Sequence, residues 1–386
     1  MRRRSVLLAA GTTAALSAAP HATALHATTE PRRHPHPGPG PGSHRPGPHR
    51  PVVVGHRGAA GWRPEHTASS YTFAVRNGAD WIEPDLVATG DHHLVVRHEN
   101  ELSATTDVAR RPEFAARRTT RTVDGRTLTG WFTEDFTLAE LRTLRAVERL
   151  PLVRDRNTVF DGRERILTFQ EVVDLARRLS RRHGRTVAVF PETKHPTYFR
   201  SIGLPLEPLL ARAVRGKRLG PHECVVQSFE PSSLLRLAEE GLGVPLWQAL
   251  GTGGGPYGHD VTYREMAAPA GLRAIAAYAE WIGADKSALV PPSTLLADAH
   301  GAGLRVGAYT FRAENRYLPA DLRRGSDPNA FGDAFAEYAR HLAWGVDALV
   351  TDFPDLAALA ADAWDAPDRR PAGPRACPPD MPRSKD

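Results

Sequence analysis

Short apolar runs alternate with amphipathic segments between residues 51 and 363. Apolar runs of about four to eight residues without strict polar alternation are typical of strands buried on both faces. Eight such runs predict strands at residues 52–56, 81–87, 186–192, 225–229, 245–250, 283–290, 305–311 and 348–352. Segments with helical periodicity follow at residues 69–77, 169–183, 207–214, 231–240, 270–280, 293–300, 330–344 and 356–363.

This alternation predicts an α/β fold. Strands that alternate with helices form a parallel sheet, and eight such units favour a closed (β/α)8 TIM barrel over an open, doubly wound sheet. One connection is much longer than the others, from the second strand near residue 89 to the helix near residue 168. It contains a predicted extra strand at 94–98 and a predicted helix at 138–146. Because a connection of this length is normally functional, we interpret residues 99–166 as an insertion after strand 2 that lies over the barrel mouth.

The N-terminus has the pattern of an export signal. Arginines at positions 2–4 precede an apolar stretch at about residues 6–19, and small residues near 22–24 supply an Ala-x-Ala cleavage pattern. We therefore expect a signal peptide over residues 1–27 and a secreted, extracellular protein. The run Arg3-Arg4-Ser5-Val6-Leu7 resembles a twin-arginine signal, with an ordinary Sec signal as the alternative. The apolar stretch is too short for a good membrane span and no cysteine follows it, so no stable membrane anchor is expected.

Both ends of the predicted barrel are flanked by segments of low apolar content. Residues 28–50 are rich in Pro, Gly, His and Arg, and residues 365–386 form a Pro-rich tail. A segment without apolar side chains cannot offset the entropy lost on ordering. We interpret the first segment as a disordered linker and assign residues 51–364 to the barrel domain.

The formal net charge of +6 does not belong to this domain. Residues 1–50 hold seven arginines and one glutamate, and acidic and basic residues balance over the remainder of the chain. The barrel therefore lacks the basic footprint typical of nucleic-acid binding, and no nucleic-acid partner is expected. The two cysteines, Cys224 and Cys377, define no disulfide framework, and their pairing stays open.

Acidic side chains concentrate at the carboxyl ends of the predicted strands, where active sites of such barrels lie. Glu83 and Asp85 are two apart on one strand and so face the same way, and Glu192 and Lys194 repeat that spacing on the next. Three carboxylates converging in a buried mouth repel one another unless a cation neutralises them. Oxygen ligands favour Ca2+ or Mg2+. Surface acids or ion pairs with arginine are the alternative interpretation.

Two histidines complete the set. His56 ends the first strand and His98 ends the extra strand, and histidine both gives and takes a proton near neutral pH. Arg57 offers bidentate donation to a phosphate oxygen, and Lys194 adds positive charge. Acid/base groups, a cation site and cationic phosphate holders together indicate phosphoryl-transfer chemistry.

The motifs that carry these residues resemble the signature of the glycerophosphodiester phosphodiesterase family, over about residues 52–360. They are His56-Arg57-Gly58-Ala59, Pro64-Glu65-His66-Thr67, Glu83-Pro84-Asp85, Val95-Val96-Arg97-His98-Glu99, Pro191-Glu192-Thr193-Lys194, Gln227-Ser228-Phe229, Tyr309-Thr310-Phe311-Arg312 and Thr351-Asp352-Phe353-Pro354. The inserted run at residues 130–138 is similar to the exported bacterial branch of that family.

The resemblance implies a role for each matching position. His56 and His98 match the catalytic acid and base. Glu83, Asp85 and Glu192 match the ligands of one divalent cation, for which Ca2+ is the first expectation and Mg2+ the alternative. The remaining matches hold or orient phosphate and substrate: Arg57, Glu65, Lys194, Gln227, Phe229 and Tyr309. Two positions depart from the family motif, because His66 stands where Asn is usual and Glu99 where Asp is usual.

The activity implied is hydrolysis of glycerophosphodiesters to glycerol 3-phosphate and an alcohol. The expected substrate is a small glycerophosphodiester such as glycerophosphocholine, or a wall polymer of glycerol phosphate, acted on by a monomer or small homo-oligomer. A phospholipase C or D that acts on intact lipids is one rival, although the insertion shows few apolar clusters and several arginines. A non-catalytic binding barrel is the other. The head group, the acid and base assignments, and attack by water or by the 2-hydroxyl all stay open.

Overall fold

The computed structural model describes residues 50–365 of the chain. The strands are β1 (Val52–Gly55), β2 (Trp81–Ile82), β3 (Asp85–Ala88), β4 (Leu94–Val96), β5 (Thr119–Val123), β6 (Arg126–Gly130), β7 (Ala188–Val189), β8 (Glu192–Thr193), β9 (Val226–Ser228), β10 (Leu246–Leu250), β11 (Trp281–Asp285), β12 (Arg305–Phe311) and β13 (Ala348–Thr351). The α-helices are α1 (Ala68–Arg76), α2 (Leu138–Leu141), α3 (Phe169–His183), α4 (Pro196–Ser201), α5 (Leu206–Lys217), α6 (Pro231–Glu239), α7 (Tyr263–Met266), α8 (Pro269–Ile275), α9 (Leu295–Gly301), α10 (Ala334–Trp344) and α11 (Pro354–Asp365). Short 3-10 helices lie at Val108–Arg110, Pro112–Arg117, Thr133–Asp135, Asp155–Phe160, Lys286–Leu289, Asn315–Tyr317 and Ala320–Leu322.

Parallel pairing closes these strands into a ring. From β8 the pairs run through β9, β10, β11, β12 and β13 to β1, and β1 pairs with β2. The second barrel strand is divided into β2 and β3, and the third into β7 and β8, and the pairs β2–β7 and β3–β8 join them. The eight strand positions therefore form a closed barrel with helices outside, and the predicted (β/α)8 TIM barrel is confirmed.

A proline lies at each of the two divisions, Pro84 in the second strand and Pro191 in the third. Proline has no amide hydrogen to donate to a ladder. Hydrogen bonds nevertheless continue on both sides, since the amide of Phe190 donates to Ile82 at 2.8 Å and that of Glu192 donates to Pro84 at 3.1 Å. The strands thus stay paired while their backbone departs from regular geometry beside Glu83 and Glu192.

Aromatic side chains fill the barrel interior below its mouth. The rings of Trp247 and Trp281 stack with centroids 5.1 Å apart, and Phe190 packs edge-on against Trp247 at 4.8 Å. Gly283 and Gly307 leave space for the Trp247 indole, because a Cβ at either glycine would lie inside the van der Waals radius of that ring. This layer is the apolar floor of the cavity above it.

Sequence signals mark the ends of several outer helices. Helix α3 begins with a capping box between Thr168 and Glu171 and ends at Gly184, which has a positive φ of 63°. The predicted helix 169–183 therefore has the observed bounds. The predicted strand 283–290 is wrong beyond Asp285, whose carboxylate accepts from the amide of Ser287 and turns the chain into a 3-10 helix.

The insertion is an ordered subdomain with its own strands. Strands β5 and β6 form an antiparallel hairpin that the sequence interpretation missed, and the turn between them is Asp124-Gly125, both with positive φ. Helix α2 covers only part of the predicted helix 138–146. The subdomain has its own aromatic contacts, such as Phe114 against Phe136 at 5.0 Å, and the amide of Leu138 donates to Asp91 on the barrel side.

Several predictions concern residues that the structure does not describe. The signal peptide, the linker up to residue 49, the tail from residue 366 and Cys377 lie outside the described residues. Cys224 is buried with a free thiol. Arg50 is bonded to Asp80 at 2.7 Å and to Asp362 at 2.8 Å. Among residues 50–365, no helix is long and apolar enough to cross a membrane.

Candidate active site

The carboxyl ends of the barrel strands surround a cavity of about 120 Å³. Side chains reach it from strands on all sides, because alternate residues of each barrel strand point inward. Of the predicted site residues, those lining this cavity are His56, Arg57, Glu83, His98, Glu192, Lys194, Gln227, Phe229 and Tyr309. The structure places the other two, Glu65 and Asp85, in direct contact with these.

The three predicted metal ligands form one buried cluster. Oxygens of Glu83, Asp85 and Glu192 all lie within 4.8 Å of one another. Burial and the two neighbouring carboxylates raise the pKa of Glu83 well above its usual range. Burial also raises the pKa of Glu192 to about 7, with Asp85 adding to the shift and Lys194 opposing it. Burial and mutual repulsion therefore favour protonation of Glu83 and Glu192, and a bound cation would oppose both effects.

Asp85 is the most strongly held member of the cluster. Burial opposes its ionisation, but Lys194 and His66 more than offset burial and keep the pKa of Asp85 well below its usual range. His66 Nε2 lies 3.0 Å from Asp85 Oδ2, and His66 Nδ1 lies 2.8 Å from the Tyr71 hydroxyl. The carboxylate can only accept, so the Nε2 hydrogen of His66 donates to it.

These residues fit a hard divalent cation. The donor set consists of carboxylate oxygens, which suit Ca2+ and Mg2+. Asp85 Oδ1 is buried and has no hydrogen-bond partner among the described residues, as expected of an oxygen reserved for an ion. Lys194 Nζ lies 3.7 Å from that oxygen and 2.5 Å from Glu192 Oε1.

His56 lies on one side of the cavity and is oriented by a buried aspartate. Its Nδ1 is 2.5 Å from Asp352 Oδ1, and its Nε2 is 3.9 Å from Glu83 Oε2. Burial lowers the pKa of His56 to about 4, so the ring is neutral at pH 7. Since the carboxylate accepts, Nδ1 carries the hydrogen and Nε2 is left as a basic nitrogen.

His98 has the same arrangement on the other side. Its Nδ1 lies 2.5 Å from Glu99 Oε1, so Nε2 again is the basic nitrogen. Burial lowers the pKa of His98, and Arg57 and Lys194 shift it in the same direction. Glu99, which stands where the family motif usually has aspartate, contacts the histidine ring directly.

Arg57 connects the carboxylate cluster to another carboxylate, that of Glu65. Its backbone has a positive φ of 55°, and its amide donates to Glu83 at 3.2 Å. Its Nη1 donates to Glu65 at 2.9 Å, while its Nε is buried without a hydrogen-bond partner among residues 50–365. The guanidinium also forms an ion pair with Asp85, with Nε 3.4 Å from Oδ2, so two carboxylates hold it where it lines the cavity.

The opposite wall combines polar and aromatic groups. Gln227 Nε2 donates to Glu83, and the Tyr309 hydroxyl donates to the Leu250 carbonyl at 2.5 Å. The Phe229 ring packs edge-on against Tyr309, with centroids 5.9 Å apart. This wall gives the cavity an apolar side opposite the histidines.

Four residues that contact the site were not predicted as site residues, and one of them, Arg312, also lines the cavity. Asp352 ends the last barrel strand and holds His56, and Arg154 and Arg312 donate to its other oxygen at 2.6 and 2.9 Å. Arg149 of the insertion donates to both Glu65 and Glu99. Asp352 and Arg312 lie in motifs that resemble the family signature, whereas nothing in the local sequence marks Arg149 and Arg154.

A TIM barrel whose mouth joins a buried carboxylate cluster, two histidines bonded to carboxylates, and the cations Arg57 and Lys194 defines a site for phosphodiester chemistry. Comparisons with known proteins agree with this class. The family model described as glycerophosphoryl diester phosphodiesterase matches residues 56–356. The chain therefore belongs to the glycerophosphoryl diester phosphodiesterase family, and it is an enzyme of that class.

Individual relatives give the same result. The chain is 33% identical over 327 residues to the glycerophosphodiester phosphodiesterase GDPD6 of Arabidopsis thaliana, covering 79% of this chain and 84% of the relative. It is 29% identical to a glycerophosphodiester phosphodiesterase of Bacillus subtilis, covering 80% and 86%. Among solved structures, a protein from Silicibacter pomeroyi, titled a possible glycerophosphoryl diester phosphodiesterase, has a TM-score of 0.58 at 22% identity, covering 81% and 94%. At 22% identity, the similarity to the Silicibacter pomeroyi structure supports the fold alone.

Proposed function

We propose that this protein hydrolyses glycerophosphodiesters to glycerol 3-phosphate and an alcohol, using one divalent cation and two histidines. The observation that carries the proposal is that three buried carboxylates and two histidines, each backed by a carboxylate, converge on one cavity. Glu83, Asp85 and Glu192 would hold the cation, with Ca2+ as the expected ion and Mg2+ as the alternative. A phosphodiesterase of Oleispira antarctica is described in complex with the product sn-glycerol-3-phosphate, which supports the proposed product.

The residues of this chain divide the work of phosphodiester cleavage. Arg57 and Lys194 bind the non-bridging phosphate oxygens. One histidine takes the proton of the attacking oxygen at its basic Nε2, and the other, after taking up a proton at Nε2 from solvent, gives it to the departing alcohol. When bound, the cation supplies positive charge that offsets the charge developing on the phosphate. Attack by water and attack by the substrate's own 2-hydroxyl both fit this division.

The proposal extends to where the protein acts and on what. The leader pattern of residues 1–27 supports export by a twin-arginine route and action outside the cell. Small glycerophosphodiesters are the favoured substrates because the cavity is compact and its rim is rich in charged groups. The insertion does expose the apolar side chains of Leu152 and Val159, more than its sequence suggested, so intact phosphatidylcholine belongs in the substrate panel.

Replacing each histidine tests the proposed catalysis. We expect His56→Ala and His98→Ala each to lower kcat by about 10²-fold or more, because a positioned acid or base contributes about 10² to 10⁴-fold. The assay is release of glycerol 3-phosphate from glycerophosphocholine, with circular dichroism to confirm folding. His183→Ala, at the exposed end of α3, is the matched control. Near-normal turnover of either active-site variant contradicts the assignment.

A further inference from the structure

One turn of the insertion, residues 149–154, approaches both histidines at once. Arg149 begins this turn and Arg154 ends it, and hydrogen bonds from the amides of Val153 and Arg154 to the Leu150 carbonyl, at 2.9 and 2.8 Å, define it. The side chain of Asn329 fixes the turn from outside by donating to the Leu152 carbonyl at 2.9 Å. Two arginines five positions apart are thereby held in fixed places above the barrel.

Arg149 bonds to the carboxylate that orients His98. Its Nη2 donates to Glu99 Oε2 at 2.6 Å, and the other oxygen of Glu99 lies 2.5 Å from His98 Nδ1. The same guanidinium donates to both oxygens of Glu65, at 2.6 and 2.7 Å. Arg149 is therefore fixed by a second carboxylate while it holds the first.

Arg154 bonds to the carboxylate that orients His56. Its Nη2 donates to Asp352 Oδ2 at 2.6 Å, and Asp352 Oδ1 lies 2.5 Å from His56 Nδ1. Its remaining nitrogens donate to Glu314 at 2.8 Å and to the Ala60 carbonyl at 2.9 Å. Arg154 is buried, so every donor of this fork has a fixed direction.

We infer that Arg149 and Arg154 are positioning residues that brace the two catalytic histidines through Glu99 and Asp352. A carboxylate with one oxygen on a histidine and the other on a planar guanidinium cannot rotate without breaking a charge-assisted bond. The ring it holds then keeps Nε2 directed into the cavity. The insertion is accordingly part of the catalytic apparatus, since without the 149–154 turn both carboxylates lose a bonded arginine.

This inference rests on the proposed two-histidine catalysis and adds a claim about how it is organised. Misplacement of a catalytic group by about 1 Å can lower a rate by about 10²-fold. We therefore expect Arg149→Met to lower kcat by about 10- to 100-fold with KM changed by less than about 3-fold. Arg149→Lys should recover only part of the loss, because a point charge cannot span Glu65 and Glu99 as a guanidinium does.

A double-mutant cycle separates bracing from general destabilisation. Arg149→Met should have at least about 3-fold less effect on kcat in a Glu99→Gln background, because the interaction it removes is already weakened there. Arg156→Met, an exposed arginine on the same segment, should leave kcat unchanged. Equal effects of Arg149→Met in both backgrounds, or a change in KM alone, would overturn the inference.

Arg154 offers a parallel test at the other histidine. Arg154→Lys and Arg154→Met, each compared with and without Asp352→Asn, should show the same non-additive loss of kcat, with thermal unfolding followed in every variant. His56→Ala and His98→Ala are measured beside them. If the histidine variants are inactive while the arginine variants match wild type, only the bracing inference fails; if the histidine variants are active, the proposed function fails first.

Discussion

His66 illustrates how one buried side chain positions a ligand carboxylate. It is fully buried, it has a positive φ of 59°, and it bonds to Asp85 on one side and to Tyr71 on the other. A carboxylate fixed in this way presents its second oxygen in a constant direction, which lowers the entropy lost when a cation binds. His66, which departs from the family motif, thus takes a defined place beside the carboxylate cluster.

Removing this side chain should weaken cation binding. We expect His66→Ala to raise the Kd for Ca2+ by about 10- to 100-fold, the range usual for loss of a partner that orients a ligand. Isothermal titration calorimetry measures this directly. His66→Asn, which restores the family residue and tolerates a positive φ, should give an intermediate value and keeps the test valid if the alanine variant folds poorly.

The matched control is His93→Ala, since the His93 side chain is half exposed and lies beside Asp91 rather than the cluster. Its Kd for Ca2+ should equal that of the wild type. A Kd for His66→Ala that is also unchanged would show that Asp85 needs no such support.

At the scale of elements, β10, β11 and β12 build the floor beneath the site. Trp247 from β10 lines the cavity and packs against Gly283 of β11, the adjacent strand, and Gly307 of β12, the next strand beyond it. Glycine at these places is a packing requirement rather than a turn requirement, because neither has a positive φ. The cavity's depth therefore depends on residues that carry no chemistry.

Adding one methyl group to this floor should destabilise the barrel. We expect Gly307→Ala to lower the free energy of unfolding by about 1 to 3 kcal/mol, the usual range for overpacking, because its Cβ would overlap the Trp247 ring. Gly216→Ala in helix α5 is the control, since its added Cβ meets nothing within 4 Å. That change should instead raise stability by up to about 1 kcal/mol. If urea unfolding gives Gly307→Ala the same free energy of unfolding as the wild type, the packing explanation is contradicted.

Elements also differ in how far their sequence determines them. Helix α3 carries its own start and stop signals, so its bounds follow from local chemistry. The Asp124-Gly125 pair is a turn signal from which the β5–β6 hairpin could have been predicted. The 3-10 helix after β11 was mistaken for strand because its apolar residues continue the strand pattern, and only the cap at Asp285 marks the change.

At the scale of the whole molecule, the closed ring explains why the sequence predicts the site residues but not the arginines that hold them in place. Glu83, Asp85, Glu192 and His56 lie at or beside the ends of barrel strands, and a parallel barrel brings the carboxyl ends of its strands to one mouth. His98 follows β4, which pairs antiparallel with β3 and so returns the chain to Asp85. Arg149 and Arg154 meet carboxylates 84 and 198 positions away in sequence. Such contacts depend on how the insertion folds back over the barrel, which periodicity and strand spacing do not encode.

The barrel and the insertion contribute different residues to the site. The barrel supplies the carboxylate cluster, the histidines and the cations proposed to bind phosphate, whereas the insertion supplies the two arginines bonded to the carboxylates behind the histidines. Several other arginines of the insertion are paired with acids: Arg111 with Glu113, Arg117 with Glu140 and Arg121 with Asp135. These three positive charges of the insertion are therefore balanced by acids within it.

Product identity and metal dependence test the central claim together. Purified protein is given glycerophosphocholine in chelator, then in Ca2+ or Mg2+, with phosphatidylcholine as the parallel substrate. We predict glycerol 3-phosphate and choline as products, loss of about 10²-fold or more in chelator, recovery with the restored cation, and little turnover of the intact lipid. Full activity in chelator, or release of glycerol and phosphocholine, would contradict the account.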